Sequence, residues 1–340
     1  FLNDSGEFIS AEDGQQIIDT INAKDFLFAT IDDQGNYSTH TAHIDIHIRK
    51  ILDYRHVNVQ AIKTAKFNVV VDCINSTGAL AIPPLLDALG VHYLLINADN
   101  FGHFAHNPEP LPAHLRQLSD EVCAQNADMG ISVDPDVDRL AFVCEDGSLF
   151  GEEYTLVAVA EYILGKEKGN TVSNLSSTRA LADITVKHGG QYFASAVGEV
   201  NVVREMKRTA AVIGGEGNGG IIVPDLHYGR DALAGIFLFL LPPPGKKFSL
   251  TQLRDSYPQY TIIKDKIPGG TDEELKIMFE KLENVFAYEK INREDGLKID
   301  FEEGWVHMRA SNTEPIVRIY AEANDMATAE TLINKVKSGL

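Results

Sequence analysis

Cysteine is scarce in this 340-residue chain, and so are long apolar runs. The three cysteines, Cys73, Cys123 and Cys144, are an odd number without CxxC spacing, which argues against a disulfide framework and favours a reducing, cytoplasmic compartment. The longest apolar run, residues 232–241, is too short to cross a bilayer. No signal segment is visible, and the chain opens on Phe1 instead of Met, which predicts a processed start or a piece of a longer polypeptide.

Positive charge is also in short supply. The chain has 30 Lys and Arg residues against 49 Asp and Glu residues, so its formal net charge is −19. A field of that sign disfavours nonspecific binding to nucleic acid. A small anionic substrate stays compatible with it, provided that arginines, lysines and backbone N–H groups form a local pocket. Arginines in motif-like settings are therefore candidate functional residues.

Alternating strand and helix patterns are abundant, and the length suggests two to four domains. An apolar strand, a Ser/Thr-rich loop and a helix followed by Gly occur over residues 68–90 and again over 170–190. Residues 259–340 change to an α+β pattern of strands and helices. The sequence thus predicts an α/β fold of tandem related α/β domains with mixed sheets, plus a smaller C-terminal α+β domain.

Three aspartates at alternate positions, Asp134, Asp136 and Asp138, form the first candidate site. Their spacing, with Glu145 at position twelve, is similar to a helix–loop–helix calcium loop, but Arg139 stands where that loop needs glycine, and both flanks are strand-like. An acidic surface turn is the plain alternative. It is weakened because clustered carboxylates after a buried strand repel one another unless a cation is bound. Oxygen ligands without His or Cys predict a Mg²⁺ site that serves a phosphate group.

Two further polar loops lie between predicted strands. In GGEGNGGII, residues 214–222, Glu216 and Asn218 are the side chains that can hydrogen-bond, and they suit sugar hydroxyls, although a structural bulge stays equally open. The second loop, RASNTEP, offers a phosphate cradle or an ordinary polar turn through Arg309, Ser311, Asn312 and Thr313. Arg318 alternates with the core positions of the next strand, so it lies beside this loop or faces solvent.

Together the three loops resemble those of the α-D-phosphohexomutase superfamily, which comprises phosphomannomutases, phosphoglucomutases and phosphoglucosamine mutases. That family carries a D-G-D-x-D-R metal loop, a G-E-x-S-G-H sugar loop and an R-x-S-x-T-x-P phosphate loop in this order. Here they read DPDVDR, GEGNGG and RASNTEP, and the resemblance covers essentially the whole chain. It implies an isomerase that moves phosphate between O1 and O6 of a hexose through a phosphoserine and a 1,6-bisphosphate.

The resemblance also implies a role for each candidate residue. Asp134, Asp136 and Asp138 are expected to bind Mg²⁺, and Arg139 is the expected catalytic residue, assisting the reacting phosphate. The expected substrate-binding residues are Arg179, Glu216, Asn218, Arg309, Ser311, Asn312, Thr313 and Arg318. The implied domains are 1–66, the remainder of a truncated catalytic-serine domain; 67–165, with the metal-binding loop; 166–257, with the sugar-binding loop; and 258–340, with the phosphate-binding loop.

The sequence departs from the family most clearly at the nucleophile. The family's T-A-S-H-N-P loop is absent, and the nearest string, FAHNPEP, has Ala105 in the position of the serine. We expect that the first part of domain 1 is not included in this chain. Three serines at strand-to-helix turns, Ser76, Ser176 and Ser177, are interpreted as helix N-caps.

Several histidine positions bear on the chemistry. Glu199 and Gly220 stand where many relatives have histidine, so the preferred sugar stays open. The general acid–base group also stays open among Arg139, Glu199 and His106. His43 and His47 lie one predicted helical turn apart, together with His40, and we interpret them as a solvated helix face and not as a metal site.

The leading hypothesis is a cytoplasmic, Mg²⁺-dependent phosphohexomutase. Its expected partners are a hexose phosphate and a hexose 1,6-bisphosphate, with neither nucleic acid nor membrane, and it is expected to be a monomer or homodimer. A non-catalytic phosphosugar-binding protein is the alternative, because the nucleophile is missing. A calcium sensor is the third class.

Overall fold

The computed structural model describes residues 1–56, 58–99, 101–241, 249–311 and 314–340. Its α-helices are α1 Ala11–Ala23, α2 His43–Leu52, α3 Val59–Ala65, α4 Gly78–Leu89, α5 Arg116–Ala124, α6 Glu152–Leu164, α7 Ala180–Lys187, α8 Glu199–Thr209, α9 Ala232–Phe239, α10 Leu250–Asp255, α11 Asp272–Val285 and α12 Met326–Ser338. Its strands are β1 Asn68–Asp72, β2 His92–Ile96, β3 Met129–Val133, β4 Leu140–Cys144, β5 Asn170–Asn174, β6 Tyr192–Ser195, β7 Ala211–Glu216, β8 Gly220–Ile222, β9 Thr261–Pro268, β10 Lys290–Asn292, β11 Leu297–Asp300, β12 Gly304–Ala310 and β13 Ile316–Ala323.

Two four-stranded sheets have the same topology. Their strand orders are β2-β1-β3-β4 and β6-β5-β7-β8, and in each the first three strands are parallel while the last is antiparallel. Strands β3 and β4 are buried along their whole length, as expected of strands that carry helices on the sheet faces. The predicted duplication of α/β units with mixed sheets is confirmed.

The C-terminal unit is a five-stranded antiparallel sheet in the order β10-β11-β12-β13-β9. Helices α11 and α12 complete it, and α11 begins with a capping box between Thr271 and Glu274. Its core is separate from the core of the two preceding units, which is continuous from Ile48 in α2 to Tyr257 after α10. The predicted α+β character of this region is confirmed.

The first 47 residues contribute little to either core. None of them is buried, although α1 has a capping box at Ser10 and Glu7 forms an ion pair with Lys207 of α8 at 2.7 Å. The predicted domain boundaries at 66/67, 165/166 and 257/258 stay a prediction. Helix α6 contacts β4 on one side of the predicted 165/166 boundary and α7, β7 and α9 on the other side. Packing therefore crosses this boundary.

Candidate functional site

The three aspartates lie in the tight turn between β3 and β4. Asp134 closes the turn, because its Oδ1 accepts hydrogen bonds from the N–H groups of Asp138 and Arg139, both at 3.0 Å. Val137 has a left-handed backbone conformation with φ 62°, which is strained for a β-branched residue and typical of functional turns. Both flanks are strands, and the carboxylate of Glu145 instead accepts from the N–H of Leu250 at the start of α10. A helix–loop–helix calcium module is therefore wrong.

The turn has the donor set and the electrostatics of a cation site. One carboxylate oxygen from each of Asp134, Asp136 and Asp138 lies within 4.8 Å of the others. Oδ1 of Asp138 is buried without a hydrogen-bond partner in the described structure. Burial, followed by the neighbouring Asp138 carboxyl, raises the pKa of Asp134 to about 7. A bound cation would relieve both the orphaned oxygen and the repulsion, so the residues fit a hard divalent ion such as Mg²⁺.

Arg139 lies at the mouth of this turn. Its guanidinium is 3.6 Å from Oδ2 of Asp134, 3.8 Å from Oδ1 of Asp138 and 3.6 Å from Oε1 of Glu109. Glu109 belongs to the loop that contains the FAHNPEP string, so this loop forms part of the wall around the site. Arg139 thus contacts the aspartates, and its side chain also lines the cavity, where it could contact a bound anion.

The second predicted loop is the turn between β7 and β8, at the equivalent place in the second sheet. Glu216 Oε1 accepts from Asn174 Nδ2 at 2.9 Å and from the N–H of Gly198 at 3.1 Å. At Gly219, φ is +84°, and a Cβ there would lie 2.1 Å from the carbonyl oxygen of Leu140. The N–H of Leu140 donates to the Gly219 carbonyl at 3.2 Å. The two turns therefore meet backbone to backbone, which only glycine permits at this position.

Arg230 was not predicted from the sequence, yet it connects the two turns. Its guanidinium donates to Glu216 Oε2 at 2.9 Å, contacts Glu199 Oε2 at 2.9 Å and forms a short hydrogen bond with Asp138 Oδ2. Burial opposes its charge, but the three carboxylates outweigh burial and raise the pKa of Arg230. The available signal was an arginine beside a helix-capping aspartate, Asp231, in an acidic chain.

The third predicted loop follows β12, where three cationic residues lie in register across the sheet. Arg309 of β12 is paired with Arg318 of β13, which is paired in turn with Lys266 of β9. Like charges directly opposite one another destabilise a sheet unless an anion or a counter-charge lies between them. Nε of Arg309 is buried without a partner among the described residues, whereas Arg318 reaches Glu314 at 3.3 Å. In this register the cationic side chains are suited to bind an anion.

A cavity of about 420 Å³ joins the three loops. Five predicted site residues line it: Arg139, Glu216, Asn218, Arg309 and Arg318. Residues not predicted also line it, including Glu153, Lys264 and Arg230. Glu153 accepts from the N–H of Thr178 at 2.9 Å, and burial raises its pKa well above the usual range. The cavity is therefore lined by both cationic groups and carboxyl groups.

Four predicted substrate-binding residues, Arg179, Ser311, Asn312 and Thr313, are not among the described residues that line this cavity. Arg179 lies outside this cavity: its guanidinium is 5.3 Å from the Tyr260 ring, and it lines a neighbouring cavity with Lys298. Ser311 follows β12 and its N–H donates to the Ile316 carbonyl at 3.0 Å. Asn312 and Thr313 lie outside the described residues. The substrate-binding roles of these residues stay predictions.

The interpretation of three serines as helix N-caps is wrong, because none of them caps α4 or α7. Ser76 Oγ donates to the Pro135 carbonyl at 2.9 Å, and Ser177 Oγ accepts from the Gly217 N–H at 3.0 Å. Ser176 Oγ is 2.8 Å from Nδ1 of His307 in β12. Each α/β unit thus uses a serine after its first strand to hold the functional turn after its third.

The interpretation of His47 as part of a solvated helix face is also wrong. Its Nε2 lies 2.8 Å from Oδ2 of Asp231, a buried carboxylate at the start of α9, and Nε2 of His227 lies 3.1 Å from the same oxygen. His40 and His43 are exposed and contact each other with ring centroids 5.9 Å apart.

All three cysteines fall in the described residues and are free; Cys73 and Cys144 are buried, and Cys123 is exposed. Within the described part of the chain, every helix falls short of the length and hydrophobicity needed to cross a membrane.

Three family models match successive parts of the chain. They are phosphoglucomutase/phosphomannomutase alpha/beta/alpha domain II over residues 45–147, alpha/beta/alpha domain III over 151–260, and the C-terminal domain over 271–338. Each of the first two contains one four-stranded sheet and its functional turn. The third contains most of the antiparallel sheet, with Arg309 and Arg318.

Individual relatives agree with these matches. A phosphoglucomutase/phosphomannomutase of Thermococcus kodakarensis is 38% identical over 78% of this chain, which spans 59% of that relative's length. A probable phosphoglucosamine mutase of Methanopyrus kandleri is 30% identical over 98% of the chain and 73% of its own length. The crystal structure of a phosphoglucomutase/phosphomannomutase family protein from Burkholderia thailandensis has a TM-score of 0.81 at 23% identity, covering 98% of this chain and 70% of that one.

Proposed function

Since this chain belongs to the phosphoglucomutase/phosphomannomutase family, we propose that its cavity binds a hexose phosphate and takes part in phosphohexomutase chemistry. The substrate is a glucose, mannose or glucosamine phosphate, and the reaction moves phosphate between O1 and O6 through a 1,6-bisphosphate. The pairing of Arg309 with Arg318 is the observation that carries the proposal. Both guanidinium-bearing residues line one cavity with Glu216 and with Arg139, which adjoins the aspartate turn.

Each end of the cavity has a distinct task in this proposal. Arg309 and Arg318 hold the phosphate that does not react, because planar guanidinium groups bind phosphate oxygens in pairs. Glu216 and Asn218 accept and donate hydrogen bonds to sugar hydroxyls between the two ends. Arg139 stabilises the negative charge of the reacting phosphoryl group, which is the main requirement of phosphoryl transfer.

Asp134, Asp136 and Asp138 would hold Mg²⁺, which supplies charge neutralisation at the phosphoryl oxygens when bound. Arg230 acts as a positioning residue in this scheme. By binding Asp138 and Glu216 at once, it fixes the distance between the turn for the reacting phosphate and the turn for the sugar. A substrate that reacts at both of its ends needs such a fixed frame, because each orientation must find the same phosphate and sugar contacts.

The phosphoryl donor is proposed to be a phosphoserine outside residues 1–340, because these residues contain no serine in the S-H-N-P setting. This absence favours one alternative function, a phosphosugar-binding protein without turnover. A cytoplasmic location is proposed on the strength of the three free cysteines.

Two measurements test the proposal. Calorimetric titration of this chain with glucose 6-phosphate, mannose 6-phosphate and glucosamine 6-phosphate in Mg²⁺ should show one site. The full-length protein, given glucose 1-phosphate and catalytic glucose 1,6-bisphosphate, should form glucose 6-phosphate. Binding without turnover by the full-length protein would leave the binding-protein function, and absence of binding to all three sugars would overturn both.

A further inference from the structure

Outside the cavity, two histidines and one carboxylate converge on a single point. His47 comes from α2, His227 from the segment between β8 and α9, and Asp231 is the N-cap residue of α9. Nε2 of His47 and Nε2 of His227 lie 2.8 and 3.1 Å from the same oxygen, Asp231 Oδ2. One ligand atom of each residue lies within 4.8 Å of the others. Asp231 is 184 positions away from His47 in the chain, and His227 lies close to Asp231. The three residues therefore come together only in the folded protein.

From this geometry we propose that His47, His227 and Asp231 bind a transition-metal ion of the Zn²⁺ class, distinct from the Mg²⁺ ion proposed for the aspartate turn. Imidazole nitrogens and one carboxylate oxygen suit zinc, nickel or copper, whereas Mg²⁺ prefers oxygen ligands only. Ligand atoms around a tetrahedral zinc ion lie roughly 3.3 Å apart, since each is about 2.0–2.1 Å from the metal. The distances from Asp231 Oδ2 to the two histidine Nε2 atoms therefore need to increase by only a few tenths of an ångström.

The surroundings of His47, His227 and Asp231 are compatible with metal binding. Asp231 is buried, and its Oδ1 accepts from the N–H of Ala234, so that α9 fixes the carboxylate and leaves Oδ2 toward the histidines. The side chains of His47 and His227 are 30% and 41% exposed, which gives an ion a route in and leaves room for water as a further ligand. The net charge of −19 attracts cations generally.

The position of the site suggests what the ion would do. It would join α2, which precedes the first sheet, to the start of α9 in the second α/β unit. Asp231 directly follows Arg230, the residue that connects the aspartate turn with Glu216. The ion would therefore clamp the backbone of the segment that carries Arg230, and it would add to the free energy of unfolding by binding only the folded chain.

The test is zinc titration of the metal-free chain by calorimetry, with Mg²⁺ in large excess so that the aspartate turn is filled. The wild-type protein should bind one Zn²⁺ ion. The double variant His47→Gln/His227→Gln should not bind this ion. Removal of direct ligands should weaken binding more than the roughly 10–100-fold loss that follows changes in outer-shell partners. The matched control is His40→Gln/His43→Gln, which removes two exposed histidines of the same region and should bind Zn²⁺ like the wild type.

A second measurement separates metal binding from a purely structural role. Zn²⁺ should raise the melting temperature of the wild type and of the control variant, and leave that of His47→Gln/His227→Gln unchanged. Co²⁺ should give the visible absorption of a low-coordinate nitrogen site in the same two proteins. Equal zinc stoichiometry and affinity in all three proteins would overturn the proposal, as would a zinc site that only the His40/His43 variant loses.

Discussion

At the scale of single residues, the proposed site depends on two arginines whose cross-strand partners carry the same charge. Arg309 and Arg318 are paired on adjacent strands although like charges repel, and in the proposed function this repulsion is the cost of a preformed anion site. Their placement in the cavity could be anticipated in part from the sequence, because Arg309 lies in a motif, whereas the orientation of Arg318 was left open. Arg230 could not be anticipated, since its partners Glu216 and Asp138 lie 14 and 92 positions away.

Replacing Arg318 by alanine tests the anion site. Loss of one charged donor should weaken hexose phosphate binding roughly 10- to 100-fold, because hydrogen bonds to charged groups contribute about 1.5–3 kcal/mol. Calorimetric titration with glucose 6-phosphate measures the effect. Arg116→Ala, which removes an exposed arginine of α5 that forms an ion pair with Asp120, is the control and should bind like the wild type. Equal affinity of the two variants would contradict the assignment.

Replacing Asp136 by asparagine tests the metal site separately from the anion site. Mg²⁺ affinity should fall more than about tenfold, because one of three ligand carboxylates is lost, and turnover by the full-length protein should be abolished. Glucose 6-phosphate binding should be largely unchanged, since Arg309 and Arg318 are intact. Asp120→Asn on the surface of α5 provides the comparison. Undiminished turnover of Asp136→Asn would show that the aspartate turn does not hold the catalytic metal.

At the scale of elements, the repeated patterns at 68–90 and 170–190 correspond to strand β1 with helix α4 and to strand β5 with helix α7, whereas the shortest elements have no such pattern. Helix α1 begins at a capping box between Ser10 and Asp13, a signal that the sequence displays. Helix α10 and strand β10 have only six and three residues and were not predicted. Helix α10 has a local cap at Ser249 and a distant one, because Glu145 accepts hydrogen bonds from the N–H groups of Leu250 and Thr251. Such contacts leave no periodic pattern in the chain.

The contact between the two functional turns is tested by Gly219→Ala. The positive φ and the Leu140 carbonyl in the path of a Cβ should together lower the free energy of unfolding by about 1–3 kcal/mol. Urea denaturation measures this loss. Gly14→Ala, inside α1 with no close neighbour for its Cβ, should be neutral or slightly stabilising. If both variants unfold at the same urea concentration as the wild type, the backbone contact at Gly219 is not tight.

At the scale of the whole molecule, the parts are joined by buried polar contacts as well as by apolar cores. His307 of β12 is the clearest case, because its Nδ1 is 2.8 Å from Ser176 Oγ in the preceding unit and its Nε2 is 2.6 Å from the Asp295 carbonyl oxygen. Burial lowers the pKa of His307 to about 4, with the carbonyl contact opposing the shift. The fold class was predictable from repeated strand–loop–helix patterns, but this joint was not, since a lone histidine in a strand has no visible partner.

The lowered pKa predicts a pH-dependent stability. Between pH 6.5 and about 4 the unfolded chain binds a proton at His307 that the folded chain does not, so this contribution is complete above pH 6.5 and is lost as pH falls. The loss is at most about 1.4 kcal/mol for each pH unit. His307→Gln should destabilise the protein more at pH 7 than at pH 5 in urea denaturation. Exposed His92→Gln should show no such change, and a pH-independent effect of His307→Gln would contradict the prediction.

The contact between Leu140 and Gly219, together with the reach of Arg230, has a consequence for recombination. The two α/β units match separate family domains, yet exchanging one unit with that of a distant relative would separate the Asp138 carboxylate from its guanidinium partner and leave an ill-fitting backbone contact. Viable chimeras should therefore take over residues 45–260 as one block. A crossover before the C-terminal sheet, which has a core of its own, should keep the contact between His307 and Ser176. The α/β unit with β1–β4 and the unit with β5–β8 should therefore be exchanged or redesigned together.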